Sequence, residues 1–197
     1  MNLDLAPLAK VQRLLFEVPL RPLQGQRFQP TGFPGLGAAT FQTANGQSLL
    51  VESAQSMANR LELMLWDVEN NELIREFKGL SYISVLRGVG NTEKERQKAE
   101  VTKFLTSSIL ESHRLNSPYV MFAKYNEQLF FDALGEKMKA FEIGPIPRQS
   151  EIAKHLIHWD IGSLLHGAFL SAKKGKGEDK TLAGGRLRVA RALSAFI

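Results

Sequence analysis

The spacing of apolar residues changes along the chain, and each spacing predicts a different element. Residues 1–10 read as a short helix or an arm. Over 11–22, Leu14, Leu15, Phe16, Val18 and Leu20 make a β-like run closed by Pro19 and Pro22. Residues 24–37 hold five glycines or prolines between Pro30 and Gly37, which opposes regular structure and predicts an ordered loop. Short runs at 39–43 and 47–52 then flank Ala44-Asn45-Gly46. Asn-Gly between two apolar runs predicts a hairpin, because a tight turn there needs positive φ. Residues 53–66 switch to helical spacing, with Ser53 as N-cap and Ala54, Met57, Ala58, Leu61 and Leu65 as the buried stripe. Gln55, Ser56, Asn59 and Arg60 fall on the flanks of that stripe. Asn70-Asn71 marks a turn, and 81–86 reads as a buried strand ended by Gly88 and Gly90.

Thr92 and Glu95 have capping-box spacing, predicting a helix to about Leu115 with Val101, Phe104, Leu105 and Ile109 inward. Pro118 then precedes a strand over 119–123. Gly144-Pro145-Ile146-Pro147 is a break. Ser150 is expected to cap a helix to about Phe169, with Ile152, Leu156, Trp159 and Leu164 on its apolar side. A lysine-rich loop over 173–180 and a second break at Gly184-Gly185 follow. In the tail, Leu187 and Val189 alternate with Arg186 and Arg188. Strands alternating with helices, and no internal repeat, predict an α/β or α+β sandwich.

Length and composition narrow the class. At 197 residues, with 44% hydrophobic and 23% charged residues, the chain is expected to form one globular domain with a real core. It has no cysteine, so disulfides, thiolate chemistry and cysteine-held metal centres are excluded. No run of about 18 apolar residues occurs, which excludes a transmembrane helix. Asp4 precedes any lysine or arginine and there is no h-region, so a signal peptide is not expected and the expected location is the cytoplasm.

The net charge of +5 is concentrated. From Lys173 to Arg191, seven cations (Lys173, Lys174, Lys176, Lys180, Arg186, Arg188 and Arg191) face only Glu178 and Asp179, while the rest of the chain is balanced. Such a segment is either a polyanion-facing edge or a solvated lysine loop. The helix beginning after Ser53 follows a strand, so its free N–H groups and dipole offer an anion site. Ser53, Gln55 and Ser56 add donors there, and Asn59 and Arg60 extend it by a turn. That cluster either holds phosphates without reading bases or is a capped helix with ordinary polar residues. In the 24–37 loop, Arg27, Gln29 and Phe33 accompany Phe28. The two aromatics either stack on bases or pin the loop to the core.

Catalytic patterns are scarce. There is no HExxH, EF-hand loop, Walker motif or nucleophile elbow. His155 and His158 lie at i,i+3 near Asp160, and would hold a metal only if further acids converge on them. The expectation is no catalytic residue, no metal site and no cofactor. A metal-dependent nuclease using His155, His158 and Asp160 is the alternative, and a protein–protein scaffold without nucleic acid is another.

Four stretches in order, RFQPTGFPGLGAATF, LLVESAQSMANRLE, DIGSLLHGAF and GGRLRVARALSAF, resemble the backbone subunit of type I CRISPR surveillance complexes (Cascade), in its type I-G form, formerly I-U. The resemblance runs from about Arg13 to the end. It implies an α+β fold with an RRM-like (ferredoxin-like) core over 1–197, helical insertions, a thumb-like loop and hairpin at 24–46, and a basic loop at 173–185. It also implies copies of the chain stacking into a helical filament along a CRISPR guide RNA, which is presented to a target DNA strand beside other Cascade subunits. In such subunits a Ser-Gln helix contacts guide phosphates, and the matching residues here are Ser53, Gln55, Ser56, Asn59 and Arg60. Arg27, Gln29, Phe33, His166, Lys173, Lys174, Arg186, Arg188 and Arg191 complete the expected RNA-binding set. Asp160, Ser163, His166 and Gly167 form a recognisable motif, for which structural packing is the preferred reading. Relatives continue past the Ala-Leu-Ser-Ala-Phe motif, so the expected core sheet is incomplete here and leaves an open edge. The RRM aromatic signature is missing, which argues against stacking on the sheet face. On this reading, Arg60→Ala weakens guide binding equally at every sequence.

Overall fold

A computed structural model describes Asp4 and residues 6–138, 148–171, 173–174, 180–181 and 187–197. They belong to two compact units, Met1–Val51 and Glu52–Ile197.

In the first unit, Asp4 Oδ1 accepts the Ala6 N–H at 2.9 Å ahead of a 3-10 turn over Ala6–Lys10. The strand expected over 11–22 does not form. Those residues carry no ladder, and Leu15, Phe16 and Leu23 stand in solvent. Their β propensity finds no partner strand, and Pro19 and Pro22 remove two donors that a ladder would need. The 24–37 loop contains a minimal ladder, β1 (Gly32–Phe33) against β2 (Gly37–Ala38). The expected hairpin follows as β3 (Thr40–Thr43) and β4 (Gly46–Leu49), joined through Ala44-Asn45. Gly46 sits at φ 115°, a conformation costly for a residue with a Cβ. Thr31 ties the two ladders together. Its N–H donates to Leu50 O at 3.1 Å, its carbonyl accepts from Ala39 N at 2.9 Å, and its hydroxyl donates to Val51 O at 2.9 Å.

The second unit opens with α1 (Ala54–Leu63), capped as expected by Ser53, whose Oγ accepts the Ser56 N–H at 3.2 Å. Ala58 is buried in its apolar stripe, but so is Glu62. The Asn70-Asn71 turn joins β5 (Trp66–Asp67) to β6 (Glu72–Leu73). The Asp67 carboxylate accepts the Glu69 and Asn70 N–H groups there at 3.0 and 3.1 Å. The strand expected at 81–86 is β7 (Ser84–Gly88), of which only Val85 is buried.

The long helix expected from Thr92 to Leu115 is corrected by the structure. The capping box is present, but α2 covers only Glu93–Gln97, and Thr102–Ser107 is a strand, β8, antiparallel to β7. Ladder pairing with β7 overrides the helical spacing of Val101, Phe104 and Leu105. The strand expected over 119–123 is likewise a helical turn. The Ser117 hydroxyl accepts the Tyr119 N–H at 3.2 Å, and Pro118 occupies the first position of α3 (Pro118–Met121).

β9 (Lys124–Tyr125) and β10 (Gln128–Leu129) make a hairpin that leads into α4 (Phe130–Met138). The helix expected from Ser150 to Phe169 is two helices, α5 (Gln149–Trp159) and α6 (Gly162–His166). Its N-cap is Arg148 rather than Ser150. Finally β11 (Ala168–Phe169) pairs with β14 (Arg188–Val189), and β12 (Lys173–Lys174) with β13 (Lys180–Thr181). The break at 144–147 and most of the 173–185 loop lie outside the described residues.

The fold is α+β, and among the described residues every ladder is two-stranded. The core of the second unit joins Val120 and Met121 of α3, Leu134 and Met138 of α4, and Ile152 and Leu156 of α5 to Leu187 and Val189. All eight are at most 5% exposed, so this is the water-free part that fixes the elements around the site. Trp159 packs its edge on Tyr125 and Phe130, with ring centroids 5.0 and 5.1 Å away. Among the described residues no helix is long and apolar enough to cross a membrane.

Candidate nucleic-acid interface

Within the second unit α1, the turn over 112–116, the α6–β11 junction and β14 enclose a cleft of about 750 Å³. Each wall follows from a local feature of the sequence. Gln55 and Asn59 are i,i+4 on α1 and share one face, so both reach the cleft. Leu187 and Val189 point into the core, so the period of two along a strand turns Arg188 outward to the cleft. Gly167 ends α6 at φ 81° and turns the chain into β11. A Cβ there would lie 3.0 Å from the Val189 carbonyl oxygen and 3.2 Å from the Arg191 nitrogen. A side chain would therefore press on the segment from β14 to Arg191 that carries the cleft arginines.

Arg191 links two walls. Its Nη2 donates to Gln55 Oε1 at 2.6 Å, and its Nε donates to the His166 carbonyl at 3.4 Å. Arg114 is buried in the cleft wall, with Nε and Nη2 each donating to a different oxygen of Glu62 at 2.6 Å. Burial pushes the Glu62 carboxyl above its ordinary value, against the pull of the Arg114 hydrogen bonds. The two-point grip on opposite oxygens is that of an ion pair, so Glu62 neutralises Arg114. Arg188 and Arg191 are then the arginines left to give the cleft its positive charge.

His166 is 4% exposed. Burial, with the charges of Arg114 and Arg191 beside it, pushes its imidazole down to about 4, so the ring is neutral at pH 7. Its Nδ1 has no hydrogen-bond partner, and neither does Asn59 Oδ1, which is also closed to water. Two buried polar atoms without partners along one cleft are uncommon, since buried polar groups are overwhelmingly paired.

The structure brings five of the expected residues together here: Gln55, Asn59, His166, Arg188 and Arg191. Others lie elsewhere. Ser53 and Ser56 are engaged at the start of α1, where the Glu52 carboxylate also sits. Hydrogen bonds from Ser56 and Arg60 hold Glu52 below the usual carboxylate range. Arg60 donates to Glu52 Oε1 through Nε at 2.8 Å and Nη2 at 2.5 Å, and does not line the cleft. This carboxylate thus engages the Ser56 and Arg60 side chains, two of the donors that the sequence offers to phosphate. Arg27 and Gln29 belong to the first unit and are exposed. Phe28 is exposed too, so it does not pin its loop to a core. Phe33, Lys173 and Lys174 are described by backbone alone, as ladder residues, and Arg186 lies outside the described residues.

The Asp160 motif divides by role. Asp160 is 2% exposed and accepts from Ser163 Oγ at 3.1 Å, from Ser108, and from the Gly162 and Ser163 backbone, so it joins α5 to α6. Burial pushes its carboxyl up against those bonds. His166 and Gly167 shape the cleft wall. Asp160 is therefore committed to packing, while His158 lies against Trp159 beside a separate groove. Among the described residues no three His, Asp or Glu side chains gather as a metal-binding set. The Glu62–Arg114 pair was not legible in the sequence, because no local pattern couples residues 52 positions apart.

A family model described as CRISPR-associated protein GSU0053 matches residues 14–197. Among curated proteins none matches the chain.

Proposed function

The chain belongs to the CRISPR-associated protein GSU0053 family and so to the CRISPR defence machinery, and from that premise we propose that it is the guide-RNA-binding backbone subunit of a type I-G Cascade complex. In this reading the subunit is non-catalytic and its core is RRM-like. Copies assemble head to tail along the guide RNA, beside other Cascade subunits, in the cytoplasm. A heterologous interface that does not close generates such a filament. The loop and hairpin at 24–46 act as the thumb against the neighbouring copy. Sequence is then read by pairing between guide and target DNA, with the protein gripping the backbone.

The observation that carries this reading is the cleft. Arg188 and Arg191 supply positive charge, and Gln55 and Asn59 supply polar side chains from one helix face. Cations with neutral polar partners at a shared surface suit a sugar–phosphate chain. The test is the affinity of the full chain for unrelated RNA sequences across a salt series. Similar affinities, falling linearly with log salt, are expected. Strong dependence on sequence, or no salt dependence, overturns the backbone-gripping role.

A further inference from the structure

We propose that the cleft selects RNA over DNA by accepting a hydrogen bond from a ribose 2′-hydroxyl at Asn59 and His166. This rests on the reading of the cleft as the nucleic-acid site and adds the feature of the polymer that the site recognises.

Arg188 and Arg191 offer only N–H donors, which match the acceptor-only oxygens of phosphate. Gln55 has its amide oxygen engaged by Arg191 at 2.6 Å. Two atoms remain unpartnered, Asn59 Oδ1 and His166 Nδ1. The first is an acceptor. The second belongs to a ring that is 4% exposed and lies among guanidinium groups, where a further proton is disfavoured. The neutral ring carries a single proton, here assigned to Nε2, which leaves Nδ1 an acceptor as well.

A phosphate can satisfy neither acceptor, because it has no proton to give at neutral pH. The ligand that suits both sets carries an anionic group for the arginines and a hydroxyl donor for these two atoms. A ribonucleotide unit carries both, and a deoxyribonucleotide lacks the hydroxyl at that position of the sugar. The cleft volume of about 750 Å³ is ample for one such unit. Both atoms are closed to water in the free chain, so a hydroxyl reaches them through a rotation of the Asn59 or His166 side chain. Recovering the bond that these atoms forgo then favours RNA.

The experiment uses the full chain, stripped of bound nucleic acid at high salt, and four fluorescently labelled 12-mers of identical sequence. Their sugars are ribose, deoxyribose, 2′-fluoro and 2′-O-methyl. The fluoro sugar keeps the RNA-like pucker but has no proton to donate, so it separates the hydrogen bond from helix shape. RNA is expected to bind several-fold to about tenfold more tightly than the other three, as one net hydrogen bond allows. In Asn59→Leu and His166→Phe, RNA affinity is expected to fall towards the 2′-fluoro level. The comparison of sugars on the unaltered chain needs no variant, so a misfolded His166→Phe does not remove the test. Equal affinity for ribose and 2′-fluoro oligonucleotides overturns this inference and leaves the RNA-binding reading standing. No binding to any of the four overturns both.

Discussion

Replacing Glu62 by Gln strips the buried Arg114 guanidinium of its counter-charge. The two residues are 3% and 5% exposed and meet through two hydrogen bonds of 2.6 Å. Breaking one side of such a pair costs about 3–5 kcal/mol, because the surviving charge stays buried without compensation. In a chain of this size each kcal/mol moves Tm by about 2–4 °C, so Glu62→Gln is expected to lower Tm by roughly 6–20 °C. The double variant Glu62→Leu with Arg114→Met removes both charges and is expected to recover most of that loss, since an apolar pair of similar volume avoids desolvating ions. Thermal unfolding of Glu62→Leu, Arg114→Met and their double variant, read as a double-mutant cycle, measures the coupling. A Tm shift of less than about 2 °C in Glu62→Gln refutes the reasoning, because it means water reaches the guanidinium. The consequence reaches the cleft as well. Glu62 lies on the helix that carries Gln55 and Asn59, and Arg114 on the turn that forms the facing wall, so this pair holds the two walls in register.

Arg188→Ala is expected to weaken RNA binding at every sequence and to lower the slope of log affinity against log salt by about 1, whereas Arg60→Ala, whose charge Glu52 already meets, changes the slope less; equal effects of the two substitutions contradict this placement. His166 titrates near 4 in the folded chain and near 6.5 when unfolded, so the unfolded chain takes up the proton first. Stability from this group is therefore complete above pH 6.5 and falls with pH down to about 4, with roughly 2 kcal/mol lost by pH 5. Urea unfolding of the unaltered chain and His166→Gln between pH 7 and 5 isolates that slope, and identical pH profiles rule it out. Gly167→Ala is expected to destabilise the chain by about 1–3 kcal/mol, because a side chain there combines φ 81° with a tight contact on the β14 backbone; unchanged unfolding midpoints would show that the turn relaxes freely.

What could be read from the sequence was local. Ser53 and the Thr92–Glu95 box cap helices within three residues of themselves, and both caps are present. Ala44-Asn45-Gly46 specifies its hairpin through the backbone needs of a single turn. The alternation around Arg188 placed its neighbours in the core. The misreadings came where a distant partner decides. Residues 102–107 have helical apolar spacing, yet β7 captures them as a strand. The 11–22 run has β propensity and no strand to pair with. Pro118 suggested an extended segment, but Ser117 before it makes the pair a helix start. For the site, the helix flank Gln55 and Asn59, the tail arginines and His166 were each visible in the sequence, but their meeting in one cleft depends on the fold. Glu52 beside Arg60 was also in plain view, and a bare count of cations overlooks how such a neighbour occupies one.

The central claim is that this cleft grips guide RNA. It is tested most directly by purifying the full chain, and its Arg188→Ala, Arg191→Ala double variant, from cells that express a CRISPR array, and measuring the RNA each retains at moderate salt. The account predicts a discrete RNA species in a large particle with the unaltered chain, and loss of both in a double variant that still folds. A folded, unaltered chain that emerges free of RNA, or a double variant that retains RNA fully, would contradict it.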